Sequence, residues 1–249
     1  MFLRKSIYLI YRNSIFKFSN LINIYLNLWR VLMHHKIDYK IIILSTVFNT
    51  KDPIFKEDLI NVLKKKGYTI HKPISKEFGK FRVEDKRIAT GKGFDIMYDP
   101  NVAAIFLASR SPNNFYHEFE KINEIINADL GLDVDDILRS YELIIEAKIR
   151  TKVNPQKAID AYYSKCKSNV FANAIKKESK NFSINIVQKK GTPANPVWHD
   201  ILIRPLSKRH YFFKLVYRRP DMESFKEVAG KIEDFFNEIF RVLTKLENE

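Results

Sequence analysis

Cysteine is almost missing from this chain: Cys166 is the single one among 249 residues. An internal disulfide is thereby excluded, and a reducing, cytoplasmic compartment is the expectation. Cys166 falls beside Tyr162 and Tyr163 on a predicted helix, where a buried structural thiol is a better reading than a nucleophile. Glycine is scarce too, at 7 residues, which fits a regular chain with few tight loops. Signatures of catalysis are also missing. The histidines (34, 35, 71, 117, 199 and 210) have no metal-binding spacing, and His117-Glu118 lacks the second histidine that a helical zinc site needs. There is no serine elbow and no dinucleotide fingerprint. Thr90-Gly91-Lys92-Gly93 lacks the preceding glycine and the following helix of a phosphate loop, so it reads as a hairpin turn. Asp133, Asp135 and Asp136 could cap a helix or hold a cation loosely, and read best as a loop. The expectation is a non-enzymatic protein with no cofactor and no metal.

Acid is absent from the opening stretch. The first acidic residue is Asp38, whereas Arg4, Lys5, Arg12, Lys17 and Arg30 precede it. No apolar run reaches the roughly 20 residues of a spanning helix, because Arg12, Lys17 and asparagines interrupt every window of residues 1–32. No cleavable small-residue site follows, so a signal peptide is not expected. Residues 1–32 then read either as a basic amphipathic segment lying on a membrane or partner, or as an extension upstream of a start at Met33. The remainder is still basic. The whole chain carries a net charge of +14, which attracts polyanions, meaning nucleic acid or an anionic membrane surface. A lysine-rich solvated surface is the plainer alternative. With 45% hydrophobic and 29% charged residues, the chain is expected to fold and not to be an integral membrane protein.

From Lys40 the pattern is regular. Lys40–Phe48 is a β-branched strand, and Asp52-Pro53 reads as a cap with proline at the first helical position. A helix with Phe55, Leu59, Val62 and Leu63 inward should end at Gly67. Strands are predicted near 81–89, 93–98 and 102–110, followed by a helix over Asn113–Leu130 that Gly131 stops. The order then restarts. Ser140–Arg150 is a strand, Asn154-Pro155 repeats the cap, and a helix carries Ile159, Tyr162 and Tyr163, with a possible extension to Ile175. Strands near 183–188, 198–204 and 211–218 precede a long helix, Asp221–Leu246. Setting Pro112 on Pro220 places Leu107 on Leu215 and Arg110 on Arg218. After a two-residue slip Phe115 falls on Phe225 and Ile122 on Ile232. Residues 38–131 and 132–249 therefore read as tandem β-α-β-β-β-α repeats with four strands each. The fold class expected is α+β, one antiparallel sheet with helices on one face and the other face open.

That element order resembles the TATA-binding protein fold. Ala104–Arg110 is similar to the family's apolar, serine-ended strand, and Leu130-Gly131-Leu132 lies where the connection between its repeats would be. The resemblance implies a curved saddle with helices on its convex side and nucleic-acid binding as one use. The family's phenylalanine-proline-glycine strand start is absent, so this is not read as a true TATA-binding protein and no residue is carried over as a DNA wedge.

Strict alternation sorts the open face. It should carry Phe106 and Arg110 in the first repeat, and Lys148, Arg150, Trp198, Arg204, Phe212, Lys214 and Arg218 in the second, along with Glu142 and Glu146. Cations interleaved with aromatic rings suit nucleic acid. The alternative is a protein partner or self-association on the same face.

Overall fold

The computed structural model describes residues 35–50, 54–71, 75–78, 81–84, 86–164 and 182–248. The readings of residues 1–32, of Asp52-Pro53, of Cys166 and of a helix reaching Ile175 lie outside these residues.

The protein is α+β. In chain order the elements are β1 (Lys36–Phe48), α1 (Lys56–Lys65), β2 (Thr69–Ile70), β3 (Ser75–Phe78), β4 (Phe81–Glu84), β5 (Arg87–Gly91), β6 (Phe94–Asp99), β7 (Ala104–Ser109), α2 (Phe115–Leu130) and α3 (Val134–Ile137). They continue with β8 (Leu138–Arg150), α4 (Pro155–Ser164), β9 (Ile184–Val187), β10 (Trp198–Ser207), β11 (His210–Arg219), α5 (Met222–Ala229) and α6 (Ile232–Glu247). Nine strands make one sheet in the order β2-β5-β6-β7-β1-β8-β11-β10-β9, every neighbour antiparallel, while β3 and β4 pair as a separate hairpin. The two 13-residue strands, β1 and β8, form the middle of the sheet.

Period-two alternation decides which face is buried. Ile42, Leu44 and Phe48 of β1, Ile105 and Leu107 of β7, Leu143, Ile145, Ala147 and Ile149 of β8, and Tyr211, Phe213, Leu215 and Tyr217 of β11 join one hydrophobic core. Helices reach this same face: Phe119 and Phe225 pack on Tyr141, and Phe236 packs on Phe213 and Tyr39. A buried polar link crosses the interface between α2 and the sheet, where the Thr46 hydroxyl donates to Asn123 Oδ1 at 2.7 Å.

Helix ends follow local chemistry. Asn154 Oδ1 accepts from the Gln156 N–H with Pro155 opening α4, and Asp221 Oδ1 accepts from the Ser224 N–H to cap α5. Gly131 ends α2 at φ +65°, in the left-handed region open to glycine. Asp133 is not loop alone, since its carboxylate accepts from the Asp135 N–H and caps the short α3.

Three expectations are corrected. The first half contributes five strands to the sheet, not four, because β2 is only two residues long and too short for a periodic signal. The single strand expected over 81–89 is two: β4 pairs with β3, and β5 enters the large sheet beside β6. The final helix is broken at Gly230, whose N–H turns back to Lys226 O. The apolar spacing runs on across that break, so periodicity alone does not reveal it.

Candidate nucleic-acid interface

Cross-strand register defines what the second face of the sheet carries. Phe212 lies opposite Lys148, Lys214 opposite Glu146, Val216 opposite Ile144 and Arg218 opposite Glu142. On the other side of β11, Arg204 lies opposite Phe212, Leu202 opposite Lys214 and Trp198 opposite Arg218. In the first half Phe106 pairs with Ser45 and Ala108 with Ile43. These cross-strand pairs set the side chains of this face into three zones.

At one end the cations are engaged within the fold. Arg218 donates through Nε to Glu142 Oε2 at 2.7 Å, and its Nη1 also reaches the carbonyls of Pro193 and Asn195. Arg139 holds the same segment through the Ala194 carbonyl at 3.0 Å. The β9–β10 connection therefore lies against this end of the sheet. Trp198 is only 7% exposed. The expectation of an open Trp198 and a ligand-ready Arg218 is corrected: the ring is packed away, and the guanidinium is used by a carboxylate and backbone carbonyls. Lys214, in the middle, faces Glu146 at 3.6 Å across the ladder. Around that pair the floor is apolar and half-buried, with Ile43, Ile144, Val216 and Phe106.

The other end is different. Lys40 and Arg204 stand over the Phe212 ring, at 5.6 and 4.8 Å from its centroid. Lys148 is the cross-strand neighbour of Phe212, and Arg150 is that of His210. Arg110, just past β7, shares with Lys40 and Ile41 the wall of a depression of about 550 Å³ on the same side. Arg110, Lys40, Lys148 with Arg150, Phe212 and Arg204 thus come from or just beyond five adjacent strands, β7-β1-β8-β11-β10. The β10–β11 turn adds Lys208 and Arg209, both exposed. Asp38, opposite Lys148, offsets one charge. His210 registers the field: desolvation first, then the charges of Lys148 and Arg150, lower its imidazole pKa below the ordinary value.

Of the residues expected from sequence, this row gathers Arg110, Lys148, Arg150, Arg204 and Phe212; Phe106 stands in the apolar middle. Lys40 was not among them. It is the extra residue at a bulge in β1, between Tyr39 and Ile41, and alternation gives no place to such a residue. Among the described residues no group of histidine, cysteine or carboxylate side chains is placed to hold a metal. No helix among them is long and apolar enough to cross a membrane.

No protein-family model matches the chain, and no curated protein sequence matches it. Among solved structures it is similar to the ligand-free regulatory subunit of aspartate kinase from Thermus thermophilus, with 11% identity over 86% of this chain and 96% of that one and a TM-score of 0.20. A superposition that weak transfers neither a fold nor a function.

Proposed function

We propose that this chain is a non-enzymatic, cytoplasmic binding protein whose ligand is nucleic acid, held on the open sheet face at its cationic end. The observation that carries this reading is the row of Arg110, Lys40, Lys148, Arg150 and Arg204 across the sheet, with Lys40 and Arg204 over the Phe212 ring. Cations at that spacing meet phosphates, and the ring offers a surface for a base. The net charge of +14 adds long-range attraction.

The fold reading belongs to the same proposal. Read outward from the central pair, β1, β7, β6 and β5 mirror β8, β11, β10 and β9. Leu107 pairs with Leu44 and Leu215 with Ile145, two rungs apart on the central ladder. This order supports a duplicated, TATA-binding-protein-like sheet with one extra edge strand, β2, in the first half.

Fluorescence anisotropy of a labelled oligonucleotide over a salt series tests the function. Affinity should fall linearly in log–log terms, with a slope near −0.9 per phosphate contacted on duplex, or about −0.7 on a single strand. Lys148→Ala with Arg204→Ala should weaken binding about tenfold or more and flatten the slope. Lys214→Ala, whose charge already faces Glu146, should change little. A salt-independent affinity, or equal effects of both substitutions, would remove this face as the site. The apolar middle of the face supports a second reading, a protein partner or second copy seated over Ile43, Ile144 and Val216. Association that strengthens with salt would favour it.

A further inference from the structure

We infer that the cationic row takes a single strand of nucleic acid, its phosphates along the row and its bases turned over the apolar middle of the face. This rests on the polyanion reading above and names the ligand more narrowly. A duplex presents two phosphate rails across a groove about 6 or 12 Å wide. Moving two to four residues along the strands from the row covers about 7–13 Å, which is where a second rail would fall. Among the described residues that strip holds Ile43, Ile144, Val216 and the Lys214–Glu146 pair, whose lysine already faces a carboxylate. Farther along, Arg218 is taken by Glu142, and the matching end of the first half carries Val47, Ala104 and Asp99, the last paired with Lys86. Among the described residues, the cations of this face that no carboxylate or carbonyl is shown to engage therefore follow one line.

A single strand uses this arrangement fully. Its backbone follows one line of cations, and its unpaired bases need apolar floor and aromatic surface. The line crosses five strands, four steps of about 4.8 Å, so it is roughly 19 Å long. Phe212 sits on it, and Arg204 adds a guanidinium plane on which a base can stack. Lys40, a long side chain on a bulge, can leave the ring for a phosphate as a base arrives.

Anisotropy titrations of the full chain with fluorescein-labelled dT12, rU12 and a 12-base-pair duplex decide this. Both single strands are expected to bind at least tenfold tighter than the duplex. Phe212→Ala should weaken single-strand binding roughly ten- to a hundredfold. Phe212→Leu, which keeps apolar volume without a stacking ring, should lose nearly as much, and Phe212→Trp should restore it. Duplex binding as tight as single-strand binding, or full affinity in Phe212→Leu, would overturn the single-strand assignment while leaving the polyanion site in place. Failure of all three probes to bind at low salt would overturn both. A preference between dT12 and rU12 would assign the strand as DNA or RNA, and equal binding would leave the recognition to phosphate and stacking.

Discussion

Glu247 is a carboxylate buried to 3% exposure at the end of α6, where a helix C-terminus disfavours negative charge. Three donors compensate. His35 Nε2 at 3.1 Å, Thr151 Oγ1 at 2.8 Å and Tyr211 OH at 2.7 Å all converge on Oε1, and the His35 ring stacks on Phe240. Burial acts to raise the carboxyl pKa, but the bonds from His35 and Tyr211, the His35 charge and the Thr151 hydroxyl outweigh it, so the net shift is below the ordinary 4.5. A depressed carboxylate pKa contributes stability that is complete above the unfolded value and is lost as pH falls through the folded one. Glu247→Gln should therefore lower stability by about 1–3 kcal/mol near neutral pH. It should also flatten the acid limb of the stability curve below pH 4.5, as measured by urea unfolding across pH. An unchanged acid limb would show that other carboxylates govern it. Arg218 teaches a related lesson at this scale. A cation that pattern reading offers to a ligand is engaged by Glu142, because register sets the two side by side.

At the level of elements, a fully buried polar bridge ties α2 to the sheet. Thr46 of β1 donates to Asn123, whose own Nδ2 donates back to the Phe119 carbonyl within α2. Thr46→Val keeps the shape but leaves a buried amide oxygen without its donor, at a cost of about 1–3 kcal/mol. Adding Asn123→Leu should recover part of that loss, a non-additivity readable in chemical denaturation midpoints. Much of this level was legible in the sequence. β8 and β11 announced themselves through alternation and β1 and β7 through apolar runs, while Asn154-Pro155, Asp221 and Gly131 marked helix ends by known chemistry. What stayed hidden has specific reasons. β2 is two residues long, the chain changes sheets between β4 and β5 within a stretch that reads as one strand, and Gly230 interrupts a stripe that continues in phase. Gly230 is required there because a Cβ would stand 2.8 Å from the Lys226 carbonyl oxygen.

For the molecule as a whole, the central ladder between β1 and β8 makes one core out of both halves. Ile42, Leu44 and Phe119 from the first half and Ile145, Tyr141 and Phe225 from the second belong to the same buried cluster. Unfolding should accordingly be a single transition. Far-UV circular dichroism and tryptophan fluorescence are expected to give coincident urea midpoints, and two resolved transitions would show that the halves are independent.

Composition and local pattern determined by themselves that the chain is basic, α+β, rich in alternating strands and free of a spanning helix signal, because these follow from residue type and spacing along the chain. Alternation also sorted side chains to faces, as Phe212, Lys214 and Arg218 illustrate. The tertiary structure alone decided which of those charges remain available. Whether Lys214 meets Glu146, whether the 193–195 carbonyls reach Arg218, and whether a bulge turns Lys40 toward Phe212 depend on register between strands far apart in sequence. Cross-strand register is a property of paired strands, and no single stretch of residues encodes it.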